Sequence, residues 1–144
     1  MLTRTPTDPY NQDHETACRL ALHSRVLAQA PGVDRAELEA SDTAVLGAPP
    51  VSFFEPHQSE MCQFQPDVLL DISEVWEAKL AAMHAMHAMH AMAAQEHRWD
   101  YYTDVAKRRG VQAARNSGPN LGQRSQTMAE AFQRLYPQIT SQLN

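Results

Sequence analysis

The sequence predicts an α/β fold, because short apolar runs bounded by turn-forming residues alternate with longer segments in which apolar residues recur at helical spacing. With 144 residues, of which 43% are hydrophobic, the chain is long enough for one ordinary globular domain. Two of the short runs, VSFFEPH and DVLLDIS, have the length and composition of buried strands. We therefore expect a single α/β domain over residues 1–144.

The first helix is predicted to begin near Asp13, which can cap it, and to end at Pro31-Gly32. His14 then lies in its first turn. A polar, acidic connection leads from this helix to GAPP and the first strand. The expected buried face of the helix consists of residues spaced three or four apart: Ala17, Leu20, Ala21, Ser24, Leu27 and Ala28.

The chain turns helical again from Ser73, and no breaker interrupts the pattern before Gly110. After a polar loop, TMAEAFQRLY predicts a last helix that Pro137 stops. Aromatic side chains at helical positions are assigned to the core or to a contact between copies of the chain, namely Trp76, Trp99, Tyr101 and Tyr102.

Composition excludes several classes of protein. The net charge of −5 and the absence of a block of basic residues give no indication of a basic surface that would bind nucleic acid. No apolar run approaches the roughly 20 residues of a membrane helix, and the first residues lack a secretory signal, so the cytoplasm is the expected location. Cys18 and Cys62 are too few for a disulfide framework, which favours reduced, structural thiols.

The stretch MHAMHAMHAM places His84, His87 and His90 at three-residue intervals. On a helix each such step falls short of a full turn by about 60°, and His84 and His90 lie about 9 Å apart along the axis. All three rings cannot reach one zinc ion at about 2 Å. Duplication within a tolerant Ala/Met helix is therefore favoured over a metal site, although two of the histidines could bind a metal weakly.

Four motifs occur together in the chain: DPYNQDH, LGAPPVSFFEPHQ, MAAQEHRWDYY and AEAFQRLYP. Their combination resembles the 4-oxalomesaconate hydratases, members of the PIG-L/LmbE superfamily of zinc-dependent, deacetylase-like enzymes, over nearly the whole chain. The resemblance implies the carboxyl-terminal part of a Rossmann-like parallel-sheet domain, with one long helix carrying the HAM repeat. It also implies that relatives have the three-residue unit once, so that six residues are inserted here.

Enzymes of this superfamily begin with a strand and an AHPDD-like loop that supplies metal ligands, and residues 1–144 contain no such segment. The resemblance therefore implies an incomplete domain, an incomplete zinc site and a chain that is inactive by itself. A second departure is Arg4, which stands where relatives have a histidine at a strand end. That histidine would line the site, so Arg4 also counts against activity.

Two histidines are the candidate functional residues. The resemblance makes His14 a metal ligand, and Asp13 beside it is expected to orient the ring; the alternative is a helix cap with an exposed histidine. His57 is the expected catalytic acid or base, since imidazole titrates at about pH 6.5, and the alternative is an ordinary loop histidine. Glu55 and Gln58 flank His57 and are expected to orient the substrate.

The implied reaction is hydration of 4-oxalomesaconate to 4-carboxy-4-hydroxy-2-oxoadipate in the degradation of aromatic acids such as gallate and protocatechuate, with Zn²⁺ as the cofactor of the complete enzyme. The substrate carries three carboxylates, which cationic side chains would bind. Arg109 and Arg115, near the end of the long helix together with Arg108, are the candidates. Solvated charge favoured by the helix dipole is the other interpretation for these arginines.

Two further functions stay open at this point. One is a zinc-dependent deacetylase of N-acetylated amino sugars, although YNQDH departs from the HPDH-like motif of such enzymes. The other is a non-catalytic, truncated remnant. The partner expected in the preferred case is a small tricarboxylate, with neither nucleic acid nor membrane, and a homo-oligomer remains open.

Overall fold

The computed structural model describes residues 1–30, 47–89, 97–116 and 128–136. The chain divides into two compact units. The first consists of Met1–Pro66 and Gln133–Asn144, and the second of Asp67–Phe132. The expected single domain over residues 1–144 stays a prediction.

The first unit is built on two parallel strands, β1 (Leu2–Thr3) and β2 (Ser52–Phe54). Leu2 pairs with Ser52 and Thr3 with Phe53. The Phe53 side chain is 3% exposed, whereas the side chains on either side of it are more accessible, which is the alternation of a strand with one buried face. The strand expected within VSFFEPH is thus confirmed, and its pairing with β1 makes the parallel arrangement.

Helix α1 (Gln12–Leu27) follows β1 and packs against it. The capping residue is Asn11, not Asp13, because the Asn11 side chain accepts a hydrogen bond from the Asp13 amide at 3.0 Å. The predicted position of His14 in the first turn is correct.

The expected buried face of α1 is wrong. Leu20 and Leu27 are 62% and 53% exposed, whereas Cys18 is fully buried. The face turned inward instead passes through His14, Cys18 and Leu22. Hydrophobic periodicity missed this face because it carries a histidine at its start and few large apolar side chains.

The second unit contains β3 (Val68–Asp71), a 3-10 helix (Ser73–Val75), α2 (Trp76–Met89) and α3 (His97–Asn116). Strand β4 (Ala129–Arg134) begins in this unit and ends in the first. The strand expected in DVLLDIS is confirmed as β3. The helical structure predicted from Ser73 is present in α2, and the separate helix α3 extends past Gly110 to Asn116.

Strand β4 replaces the last helix that TMAEAFQRLY predicts. It pairs antiparallel with β3, so Asp71 faces Ala129 and Val68 faces Phe132. Ala129 and Ala131 are 1% and 2% exposed, a two-residue period that the strong helix propensities of Ala, Glu and Gln conceal. Strand β4 thus forms an antiparallel pair with β3, and the expected α/β class is confirmed.

The core of the second unit is a cluster of Ile72, Trp76 and Ala106, against which Leu80 and Met128 pack. The Met128 amide donates to Ser73 Oγ at 2.9 Å, and the Ile72 amide donates to the Met128 carbonyl at 2.8 Å. These bonds tie the start of β4 to the end of β3. The assignment of Trp76 to packing is confirmed, whereas the side chain of Trp99 lies outside the described residues.

The HAM repeat begins inside α2, where His84 is exposed. The stretch 90–96, which includes His90, lies outside the described residues, as do the side chains of the helical positions on either side of it, 86–89 and 97–99. The expected single long helix through the repeat therefore stays a prediction. Within the described ranges, no helix is long and apolar enough to cross a membrane.

Candidate functional site

The candidate site lies in the first unit, after the carboxyl ends of its two parallel strands. The segment that follows β1 carries Asp8 and leads into α1, which presents His14 in its first turn. The segment that follows β2 carries His57. Ligand sites of open α/β sheets commonly lie beyond the carboxyl ends of their parallel strands.

His14 is held at both ring nitrogens. Its Nδ1 lies 2.6 Å from Asp8 Oδ2, and its Nε2 lies 3.0 Å from Asn11 Nδ2. The side chain of His14 is 27% exposed and that of Asp8 is 5% exposed. His14 is therefore a fixed, partly accessible imidazole, which contradicts the alternative of a freely exposed capping histidine.

Asp8 owes its position to a dense set of local hydrogen bonds. Its Oδ1 accepts from the Tyr10 amide at 3.1 Å, and its carbonyl accepts from the Asn11 amide at 3.2 Å. Its own amide donates to Glu15 Oε1 at 3.0 Å, which ties the loop to the first turn of α1. The loop and the helix start thus form one rigid piece around His14.

The Asp8 carboxyl is stabilised in its ionised form. Burial alone would raise its pKa, but hydrogen bonds from His14 and from the Tyr10 and Asn11 amides, with the charge of His14, lower the pKa below its ordinary value of 3.8. A carboxylate on one ring nitrogen fixes the orientation of the imidazole.

The expected partner of His14 was Asp13, and this expectation is wrong. The hydrogen bond to the His14 ring comes from Asp8, six residues upstream, while Asp13 has an exposed side chain and offers its backbone amide to the cap. Adjacent residues of a helix point about 100° apart, so Asp13 cannot face the ring. In the sequence Asp8 is recognisable only as an aspartate before Pro9, and the folded loop is needed to bring its carboxylate to the His14 ring.

His57 lies in a compact turn after β2. Pro56 before it is buried, the His57 ring is half-buried, and its carbonyl accepts from Cys62 Sγ at 3.6 Å. The Nδ1 atom is buried without a hydrogen bond among the described residues, although the residue interacts with the protein in other ways. His57 is therefore a half-buried residue of a hydrogen-bonded turn, and its expected role as catalytic acid or base stays a prediction.

Gln58 is exposed and has a left-handed backbone, with φ 54°. Non-glycine residues rarely adopt this conformation, and it turns the chain sharply directly after His57. The turn is closed by the Met61 amide, which donates to the Gln58 carbonyl at 3.0 Å. This geometry fixes where His57 leaves the strand, while the expected role of Gln58 toward a substrate stays a prediction.

Both cysteines are free and buried. Burial raises the pKa of the Cys18 thiol, and burial together with the charge of Asp8 raises that of Cys62. Both thiols are therefore held in the protonated form, which is a poor nucleophile and a poor metal ligand. The expected structural role of the cysteines agrees with this chemistry.

The residues that the structure describes do not fit a catalytic zinc site. A catalytic zinc requires three protein ligands, and within the described ranges no three His, Cys, Asp or Glu side chains come together to hold a metal. His14 offers one imidazole, and Asp8 is engaged with that same ring. The expected His14 ligand and Zn²⁺ cofactor therefore stay predictions for an assembly with further ligands.

The predicted carboxylate-binding arginines lie on α3 in the second unit. Arg109 Nη1 donates to Gln112 Oε1 at 2.8 Å, and the side chain of Arg115 lies outside the described residues. In the first unit, the guanidinium of Arg4 stacks on Phe54 at 4.5 Å from the ring centroid. Arg4, which stands where relatives have a histidine, thus packs on an aromatic side chain of strand β2.

No protein-family model matches the chain. Among solved structures, the crystal structure of GalB, the 4-carboxy-2-hydroxymuconate hydratase from Pseudomonas putida KT2440, matches with a TM-score of 0.78 and 44% identity, covering 99% of this chain and 54% of that chain. N,N'-diacetylchitobiose deacetylase from Pyrococcus horikoshii matches with a TM-score of 0.63 and 18% identity, covering 93% of this chain and 44% of that chain.

These two matches show the fold of the PIG-L/LmbE superfamily. Within that class, the chain is 45% identical over 143 residues to the 4-oxalmesaconate hydratase of Pseudomonas putida KT2440, a match that covers 99% of this chain and 50% of the relative. The resemblance to the 4-oxalomesaconate hydratases is therefore confirmed along nearly the whole chain. The chain spans about half the length of these hydratases.

Proposed function

We propose that the chain forms part of an enzyme that hydrates 4-oxalomesaconate to 4-carboxy-4-hydroxy-2-oxoadipate in the degradation of aromatic acids. The observation that carries the proposal is the pair of the buried Asp8 and the partly accessible His14, with a 2.6 Å contact, at the carboxyl end of parallel strands. It occurs in a chain that is 45% identical to a hydratase of this name. The sequence match and the structure match to hydratases of Pseudomonas putida KT2440, at 45% and 44% identity, support this function over the deacetylase.

The chemistry requires a base and charge stabilisation. Water adds to a carbon-carbon double bond conjugated to carbonyl and carboxylate groups, so a base removes a proton from the attacking water while the acceptor oxygens gain negative charge. We assign the proton transfer to His57, whose ring is half-buried in a fixed turn. Gln58 is proposed to orient the substrate beside it.

His14 is proposed to act through Nε2, since Asp8 occupies its Nδ1. Arg109 and Arg115 are proposed to bind substrate carboxylates, for which the planar guanidinium offers paired donors. The proposed ligand is a small tricarboxylate, the proposed location is the cytoplasm, and neither nucleic acid nor membrane is a proposed partner. No step is assigned to a metal, because the described residues do not form its site.

The second candidate function is deacetylation of an N-acetylated amino sugar. Its support is the match to N,N'-diacetylchitobiose deacetylase, which at 18% identity shows a shared fold alone. Asn11 also stands in YNQDH where the HPDH-like motif of such enzymes has its first histidine. Hydration is therefore the preferred function, with a non-catalytic remnant as the outcome if no activity can be restored.

The test joins the amino-terminal half of the Pseudomonas putida hydratase to residues 1–144 and follows the loss of the conjugated absorbance of 4-oxalomesaconate. We expect turnover by the fusion and none by the 144-residue polypeptide alone. His57→Ala should lower kcat by roughly 10²- to 10⁴-fold, the usual contribution of an acid-base group. The matched control is His23→Ala on the exposed side of α1, which should leave kcat unchanged.

A folded fusion without turnover would favour the remnant. A fusion that releases acetate from an N-acetylated chitobiose but does not hydrate 4-oxalomesaconate would establish the deacetylase instead.

A further inference from the structure

Asn11 has two functions at the start of α1. Its Oδ1 accepts the hydrogen bond from the Asp13 amide at 3.0 Å and so caps the helix. Its Nδ2 lies 3.0 Å from His14 Nε2. The two ends of a carboxamide are hard to distinguish by shape, but the Asp13 amide is a donor and needs the oxygen. The helix cap therefore fixes which end of Asn11 faces the imidazole.

This orientation determines the tautomer of His14. The Nδ2 group of Asn11 can only donate, so Nε2 must accept through its lone pair. In the neutral ring the proton must then reside on Nδ1, where it is donated to Asp8 Oδ2 at 2.6 Å. Both contacts are hydrogen bonds in this tautomer, and the other tautomer would set donor against donor at Nε2.

We infer that Asn11 is a positioning residue that covers the one lone pair through which His14 can act. Asp8 and Asn11 together hold the Nδ1–H tautomer, and the Asn11 amide must turn aside before an electrophile or a divalent cation can reach Nε2. Turning the carboxamide also releases Oδ1 from the Asp13 amide, but water can take the place of Oδ1 there because the first turn is exposed. The inference rests on the contacts of His14 and does not depend on the hydratase proposal.

The first test uses Asn11→Ser in the 144-residue chain. Serine is as good a helix cap as asparagine, but its single hydroxyl cannot reach both the Asp13 amide and His14 Nε2. Diethylpyrocarbonate acylates the bare nitrogen of a neutral imidazole, and peptide mass mapping gives the rate at each histidine. We expect the rate at His14 to rise about fivefold, which corresponds to one ordinary hydrogen bond removed from the lone pair.

Three measurements keep this test interpretable. His23 lies exposed on the same helix and should react at the same rate in both proteins. Far-ultraviolet circular dichroism should show the same helix content for Asn11→Ser and the unaltered chain. Asn11→Ala, which removes both the cap and the Nε2 donor, should expose His14 to a similar extent but lower the urea midpoint.

The second test needs no substitution at Asn11. In a ¹⁵N-labelled chain, long-range proton-nitrogen spectra distinguish a ring nitrogen that carries a proton from one with a free lone pair, and His14→Gln identifies the His14 signals by their loss. We expect His14 to appear as the Nδ1–H tautomer. A proton on Nε2, or an unchanged acylation rate at His14 in the folded Asn11→Ser protein, would overturn the inference.

Discussion

Asp8→Asn tests the proposed support of His14 most sharply, because it removes one charge and hardly changes shape. Asp8 Oδ2 and Oδ1 accept from His14 Nδ1 at 2.6 Å and from the Tyr10 amide at 3.1 Å. Asparagine has one oxygen for these two donors, so one contact becomes donor against donor. If the His14 proton moved to Nε2, that N–H would face the Nδ2 donor of Asn11, and two donors would again oppose each other.

The cost follows from the burial of the site. The Asp8 side chain is 5% exposed, and loss of a hydrogen bond to a charged group costs about 1.5–3 kcal/mol. For a chain of 144 residues, at about 3 °C per kcal/mol, the melting temperature should fall by about 5–9 °C. Circular dichroism against temperature and urea measures both quantities.

Asp13→Asn is the matched control. It makes the same change five residues further on, where the side chain is exposed and the loss is limited to the helix-dipole contribution of at most about 1 kcal/mol. We expect Asp8→Asn to be clearly the more destabilising of the two. Equal losses, or a larger loss at Asp13, would refute the assignment of Asp8 as the residue that holds His14.

Three other predictions concern the thiol, the repeat and the metal. Burial raises the pKa of Cys18 above its ordinary value of 9.0, so its neutral form stabilises the fold below pH 9.0 and this contribution is lost as the pH rises through the folded-state pKa. Urea unfolding at stepped pH should show the loss, and Cys18→Ala should reduce it without abolishing it, because the buried Cys62 thiol contributes in the same direction. Deleting residues 84–89 should raise the melting temperature, because six extra helical residues displace the rest of the helix by about 9 Å and rotate it by about 240°. A lower or unchanged melting temperature would show that the repeat contributes to the native packing and is not a tolerated duplication. The untagged chain should hold substoichiometric zinc by atomic emission, lost when His84, His87 and His90 become alanine, whereas one-to-one zinc that depends on His14 alone would contradict this.

The sequence predicted the local elements well where one signal dominated. Apolar runs between turn formers located β2 and β3, and the cap-like sequence before His14 located the start of α1. The family motifs singled out His14 and His57, and the structure gives both of them fixed surroundings. The confirmed strands and helix start depend on patterns that lie within a few residues of each other, while the roles of His14 and His57 stay predictions.

The errors arose where distant residues decide the outcome. The segment of β4 has helix-forming Ala, Glu and Gln, but pairing with β3 overrides their propensity. The sequence indicates the neighbouring Asp13 as the partner of the His14 ring, whereas the loop after β1 brings Asp8, six residues upstream, to that position. The double role of Asn11 depends on which amide its oxygen meets, and no spacing rule contains that information.

The proposed membership of the Asp8–His14 pair and His57 in a hydratase site is best tested by the kcat for hydration of 4-oxalomesaconate by the fusion with the Pseudomonas putida segment. We expect turnover by the fusion, and we expect His14→Ala and Asp8→Ala each to reduce kcat. The double variant should have the same kcat as His14→Ala, because Asp8 acts through His14. A folded fusion in which His14→Ala leaves kcat unchanged would contradict the account.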